Sequence, residues 1–143
     1  RYYSYLVNLV RKLDLEKNIK FIVNVSKAKL MKYLSLCGIY VHAKPYEHFG
    51  ISVAEALALS KPCLVHRYSG AFIDILKAGK YGYSFFSNTA KELAERIYNI
   101  VEKYSDAKKK AANGQQFLLK EYSWRTQTER LRRIILEFVE KNV

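Results

Sequence analysis

The sequence predicts a single α/β domain in which a parallel sheet carries helices on both faces. Three observations predict it. Half of the 143 residues are apolar, enough to close one core. Segments with helical spacing of apolar residues alternate with short β-rich runs, without a repeat or a linker. The helical segments are also roughly 10–15 residues long, the length a crossover between parallel strands requires. Two prolines, six glycines and 27% charged residues exclude collagen-like, low-complexity and broadly disordered chains. No apolar run approaches the roughly 18 residues of a membrane-spanning helix, and no signal-peptide pattern opens the chain, so a cytoplasmic protein is expected.

The elements follow in order. Leu6, Leu9, Val10 and Leu13 share one helix face, predicting an amphipathic helix over 2–17 that ends near Asn18. Residues 19–25 are a short β-rich run. Ser26 caps a second helix with Leu30 and Leu34 on its inner face. Residues 39–43 predict a buried strand, broken by Lys44-Pro45. A helix over about 50–59, a strand over 62–66, a turn at 67–70 and a short helix near 71–77 come next. Gly79 and Gly82 bracket a turn before an edge strand at 83–86. Thr89-Ala90-Lys91-Glu92 has capping-box spacing and opens a helix to about Lys103. Two further helices fill the C-terminal third, the last capped by Ser123.

The net charge is +12, from 25 basic against 13 acidic residues, and it is unevenly spread. Residues 1–33 hold eight basic and two acidic residues, 34–103 eight and six, and 104–143 nine and five. Basic flanks around a balanced middle suit an anionic small molecule, an acidic membrane surface or nucleic acid, and also a solvated lysine-rich surface with no partner. Lys108-Lys109-Lys110 reads as such a solvated face, and the 12 tyrosines are dispersed rather than gathered into a stacking platform. Cys37 and Cys63 lie in apolar stretches and read as buried, reduced thiols. No metal site is expected: His42, His48 and His66 match no ligand spacing. His42 and His66, at strand ends, read as packed histidines, and His48 has the better claim to a role.

In open parallel sheets, ligands bind beyond the carboxyl ends of the strands, which points to the loops after Val25, Ala43 and His66. The middle loop stands out, running from Pro45 through Glu47-His48-Phe49-Gly50-Ile51-Ser52 to Glu55-Ala56-Leu57. A helix starting directly after a strand turns free backbone N–H groups and the positive end of its dipole toward the cleft. Gly50 lets a ligand approach that backbone. Such a site suits a phosphate and especially a diphosphate. Glu47 and Glu55 would repel phosphate, so they are expected to hold hydroxyl groups on either side of it, as in a sugar nucleotide. Two glutamates eight positions apart are a weak signal alone. The order strand, Glu-x-Phe-Gly, helix, Glu-Ala-x-Ala, Lys-Pro, strand, Ser-Gly turn is specific.

On those residues the chain resembles the donor-binding domain of retaining family 4 glycosyltransferases, over roughly residues 5–140. Their Glu-x7-Glu motif is matched by Glu47 and Glu55, and Tyr122-Ser123-Trp124 before the last helix is a frequent companion. The resemblance implies a Rossmann-like parallel sheet, the C-terminal half of a GT-B fold. It implies that Glu47 is the catalytic residue, holding and orienting the transferred sugar. It further implies that the backbone of Phe49, Gly50, Ile51 and Ser52 contacts sugar and diphosphate, that Glu55 takes the ribose hydroxyls, and that Gly70 belongs to a second donor-binding turn. No cofactor and no metal is implied. Departure of the diphosphate is assisted electrostatically, and the acceptor attacks from the same face.

Three positions depart from the family pattern. Ser60 stands where a glycine normally ends the helix, Gly70-Ala71 replaces a Gly-Gly turn, and Asn24 replaces a common glycine. By the resemblance the chain opens inside the helix after a missing first strand, without the Arg and Lys that clamp the diphosphate or the acceptor domain. It is therefore expected to be a truncated domain over 1–143 that does not catalyse transfer alone. The Glu-His-Phe-Gly string is similar to that of mannosyltransferases that use GDP-mannose on lipid-linked oligosaccharides. The alternatives are a UDP-glucose-type glucosyltransferase or another sugar-nucleotide enzyme of this fold. Outside enzymes, the alternative is a nucleic-acid or membrane-binding module acting through the basic flanks. The expected partners are a GDP- or UDP-sugar, a glycan or lipid-linked acceptor, peripheral contact with the cytoplasmic membrane face, and no nucleic acid.

Overall fold

The computed structural model describes residues 1–87 and 89–142, and it divides into two compact units, Arg1–Met31 and Lys32–Val143. In the first unit, helix α1 spans Tyr2–Lys12 and stops earlier than its apolar period suggests. Asp14 adopts a left-handed conformation (φ 53°), and the Leu15 N–H reaches back to the Val10 carbonyl at 3.0 Å. This closes a Schellman-type end that the 3,4-spacing alone does not reveal. The expected strand over 19–25 makes no ladder among the described residues, because β propensity without a paired neighbour does not make a strand. Asn24 keeps the left-handed conformation (φ 51°) for which glycine is the usual residue, and asparagine tolerates it well.

Helix α2, Lys27–Leu36, crosses the division between the units, with its Lys29 N–H on Ser26 Oγ at 3.4 Å. Leu34 is buried, but Leu30 is 38% exposed, against the expectation of an inner position. The second unit then holds strand β1 (Tyr40–His42), helix α3 (Ile51–Ala58), strand β2 (Cys63–His66), a π-helical turn (Ala71–Ile75) and strand β3 (Tyr83–Phe85). Helices α4 (Ala90–Glu102), α5 (Tyr104–Glu121) and α6 (Trp124–Asn142) complete it.

The three strands form a parallel sheet in the order β1-β2-β3, with Tyr40 opposite Cys63, Val65 opposite Ser84 and His66 opposite Phe85. β2 is central and wholly buried. β1 is an edge strand and only partly buried, which corrects the expectation of a buried strand at 39–43. Helices cover both sheet faces. Leu64 and Phe85 pack with Ile100 of α4 and Ala107 of α5, joined by Leu93 and Ile97. Cys63 turns the other way, its Sγ 3.9 Å from the Val53 carbonyl of α3. Each large side chain buried in this way contributes about 1.5–3 kcal/mol. Gly114 of α5 lies against Leu57 of α3, where a Cβ would come within 2.8 Å of Leu57 Cδ1. The missing side chain thus lets the two helices approach closely.

Two local details differ from the expectations. The short helix near 71–77 is one π-helical turn, with the Leu76 N–H on the Ala71 carbonyl at 2.9 Å. It ends where Lys77, Ala78 and Gly79 all take positive φ. At the start of α4, Thr89 Oγ1 accepts the Glu92 N–H as a capping box requires. The Glu92 carboxylate, however, accepts the N–H groups of Phe86 (3.0 Å) and Ser87 (2.6 Å), tying the end of β3 to the helix. Ser123 caps α6 as expected, accepting the Thr126 N–H at 3.1 Å.

Candidate functional site

The loop between β1 and α3 is held by the turn after β2. The Tyr46 N–H donates to the Tyr68 carbonyl at 3.1 Å, and the Gly70 N–H donates to the Glu47 carbonyl at 2.6 Å. The Tyr46 and Tyr68 rings stack at 6.2 Å. A Cβ on Gly70 would overlap the His48 carbonyl oxygen, so only glycine lets the two backbones meet. Gly50 then turns the chain into α3 with φ 80° and ψ 63°, and its position lies so close to Ala71 that a Cβ there would stand 2.8 Å from Ala71 Cβ.

Gly50 offers no side-chain cap, and the Gly50 carbonyl accepts the N–H groups of Val53 and Ala54. The preceding amides, of Ile51 and Ser52, are among the donors that a helix leaves without a partner of its own. Ile51 is largely exposed and Phe49 is partly so, which leaves this helix start accessible. It can accept an anion through backbone N–H groups and the helix dipole.

Glu47 sits on the loop before this helix start, and Glu55 in the second turn of α3. Both lie along β1. Glu47 Oε2 is 3.0 Å from Lys44 Nζ and 3.7 Å from His42 Nε2. The Lys44 ammonium, opposed by partial desolvation and helped by His42, holds the Glu47 carboxyl below its usual range. The His42 ring stacks on Tyr40 at 6.4 Å and 13°. Burial pushes the Tyr40 phenol up; a hydrogen bond with Ser52 opposes this, and the neighbouring thiol of Cys63 and carboxylate of Glu55 add to it. Glu47 thus lies beside the His42 end of the Tyr40–His42 stack, while Ser52 and Glu55 of α3 act on the Tyr40 phenol.

Beyond α3, Phe49, Ile51, Glu55 and Tyr122 line a mainly apolar groove of about 320 Å³. Phe49 leans on Tyr122 at 5.7 Å, and the Tyr122 hydroxyl donates to the Asp74 carbonyl at 3.0 Å. Tyr122 thus braces the Phe of the motif. A separate cavity of about 570 Å³, lined by Arg67, Arg96 and Lys103, shares no residue with the motif.

The sequence reading missed Tyr40 and Lys44 as neighbours of the site. Their signals were present: Tyr40 and His42 are two apart on a strand, and so share a face. Lys44 is three residues before Glu47. Of the histidines, His66 is packed as expected, edge-on to Phe85 at 5.3 Å with Nδ1 accepting the Tyr68 N–H. The His48 side chain is exposed. Among the described residues no group of histidine, cysteine and carboxylate side chains is arranged to hold a metal, and no helix is long and apolar enough to cross a membrane.

Residues 1–117 match the family model described as glycosyl transferases group 1. The chain is 33% identical over 109 residues to GDP-Man:Man(3)GlcNAc(2)-PP-Dol alpha-1,2-mannosyltransferase from Dictyostelium discoideum, covering 74% of this chain and 21% of that protein. The chain therefore spans about a fifth of that relative's length. Among solved structures it superposes on Anabaena HepE in complex with UDP-glucose with a TM-score of 0.81 at 21% identity, over 95% of this chain and 37% of that one. It also matches the C-terminal domain of the glycosyl transferase group 1 protein LpcC from Francisella tularensis, with a TM-score of 0.70 at 21% identity, over 86% and 63%.

Proposed function

Since this chain belongs to the group 1 glycosyltransferases and has the fold of the C-terminal half of a GT-B enzyme, we propose that it binds the nucleotide-sugar donor of a retaining hexosyltransferase. The observation that carries this reading is the start of α3, whose uncapped amides stand between Glu47 on the preceding loop and Glu55 in the second turn of the helix. The diphosphate lies on the amides of Gly50, Ile51 and Ser52, near Phe49. Glu55 takes the ribose hydroxyls, Glu47 takes hydroxyls of the transferred sugar and orients it, and Gly70 shapes the second wall. Charge developing on the departing diphosphate is stabilised by the fixed dipoles of the helix start. No metal enters this scheme.

The donor we propose is GDP-mannose, passed to a glycan or lipid-linked acceptor. Support comes from the Glu-His-Phe-Gly string and from the identity with a protein named as a GDP-mannose-dependent, dolichol-linked mannosyltransferase. A UDP-hexose is the second reading, favoured by the superposition on a protein solved with UDP-glucose.

Ligand-observed NMR with GDP, UDP, ADP and a random single-stranded oligonucleotide tests the proposal. Saturation transfer to one nucleotide that is lost in Glu55→Ala is expected, and it also names the base. Oligonucleotide binding alone, unchanged by that substitution and falling steeply with salt, overturns it in favour of the basic surface.

A further inference from the structure

Two side chains approach one oxygen of Glu47, and neither belongs to the Glu-x7-Glu motif. Lys44 Nζ and His42 Nε2 both face Oε2, while Oε1 takes part in neither contact. The two are not equivalent. Lys44 is 68% exposed on a flexible stem, and an ion pair of that kind contributes little in water. His42 is fixed: it sits on β1 opposite Val65 and is stacked on Tyr40. Its Nε2 is buried and has no hydrogen-bond partner, although Glu47 Oε2 is only 3.7 Å away.

A buried ring nitrogen without a partner costs free energy, and buried polar atoms in folded proteins are rarely left so. Glu47 Oε2 faces that nitrogen from 3.7 Å, and long hydrogen bonds of catalytic groups commonly tighten when substrate is seated. The imidazole is stacked on Tyr40 of its own strand and faces Glu47 of the loop, whose Oε2 also meets Lys44, while Ser52 and Glu55 of α3 and Cys63 of β2 bear on Tyr40. Burial pushes the Cys63 thiol up, so it stays neutral. Glu47 is therefore the acceptor that a donor on His42 Nε2 meets.

Resting on the donor-domain reading, we propose that His42 is a positioning residue: it pins Glu47 Oε2 from a rigid strand, so that Oε1 is presented to the hydroxyls of the transferred sugar. His42 itself touches neither nucleotide nor sugar. Its removal acts on sugar recognition and leaves nucleotide recognition, at the Glu55 end, as it was.

The test compares the unsubstituted chain with His42→Leu, His42→Gln, Glu47→Gln and the double variant His42→Leu/Glu47→Gln. Thermal melts establish that each is folded. GDP, GDP-mannose, UDP and UDP-glucose are titrated in turn, and saturation transfer is read separately on base and hexose protons. In His42→Leu, hexose saturation and nucleotide-sugar affinity are expected to fall about tenfold, with nucleoside diphosphate affinity unchanged. His42→Gln, which keeps an N–H donor, is expected to recover most of the loss. With Glu47 already changed to Gln, His42→Leu is expected to add about twofold or less, because the carboxylate it positions is gone.

Equal losses for nucleotide and nucleotide sugar, no loss at all, or full additivity in the double variant would each overturn the role of His42 while leaving the donor-domain reading standing. Failure of the folded, unsubstituted chain to bind any of the four ligands overturns that reading and the positioning role with it.

Discussion

The Gly70 N–H donates to the Glu47 carbonyl at 2.6 Å, and the Gly70 Cα lies against the His48 carbonyl with no room for a Cβ. Two segments more than 20 residues apart in sequence are thereby locked together at the mouth of the site. Gly70 has an ordinary right-handed conformation (φ −57°), so its requirement is one of space and not of backbone angle. Gly70→Ala is expected to push the loop off the turn, costing about 1–3 kcal/mol of stability as overpacking does. Donor binding falls with it, and denaturant unfolding together with nucleotide titration checks both effects.

Ser60 gives the opposite sign. It ends α3 with φ 54°, with the Lys61 N–H on the Ala56 carbonyl and the Ser60 N–H on the Leu57 carbonyl, a complete Schellman arrangement. A left-handed serine is strained where glycine is not. Ser60→Gly is expected to stabilise the chain by about 0.5–1 kcal/mol, partly offset by the added freedom of the unfolded chain. A rise in the thermal midpoint is the readout.

Glu92 makes stability depend on acid. Its bonds from the Phe86 and Ser87 N–H groups hold its carboxyl down at about 2, against 4.5 for a free glutamate. The charged form is the one favoured by folding, so its contribution is present in full above about 4.5 and is lost as pH falls toward about 2. Glu92→Gln is expected to lower stability at neutral pH, and the gap to the unsubstituted chain is expected to close in that acid window. Denaturation curves across pH 2–7 measure it.

The two thiols are expected to differ in access. Cys63 is fully buried against α3 and its thiol is pushed far up by burial. Cys37 is partly exposed and is also raised by burial, with Lys61 opposing. An alkylating reagent at neutral pH is expected to label Cys37 slowly and to reach Cys63 only on unfolding. Mass spectrometry of the labelled peptides decides it.

The local geometry of the candidate site was legible because it is local in sequence. Glu47, Phe49, Gly50, Ile51, Ser52 and Glu55 fall within one loop and the first turns of one helix, so strand-to-helix geometry places them without knowledge of the rest. The Asp14 helix end was not legible, because a left-handed aspartate leaves the apolar spacing of its neighbours intact. Nor was the missing strand at 19–25, since a strand exists only by virtue of its partner.

The sequence by itself determined the alternation of strands and helices, the Glu-x7-Glu segment at a strand end, and the glycine that opens its helix. These depend on periodicity, capping and backbone conformation, all interactions of short range along the chain. Only the tertiary structure decided that Gly70 abuts the Glu47–His48 backbone, that the Tyr40–His42 stack meets Glu47 at its His42 end, and that Tyr122 braces Phe49. Those relationships depend on the register of β1 against β2 and on the return of the chain after α5, and contacts between segments distant in sequence form only when the whole core closes.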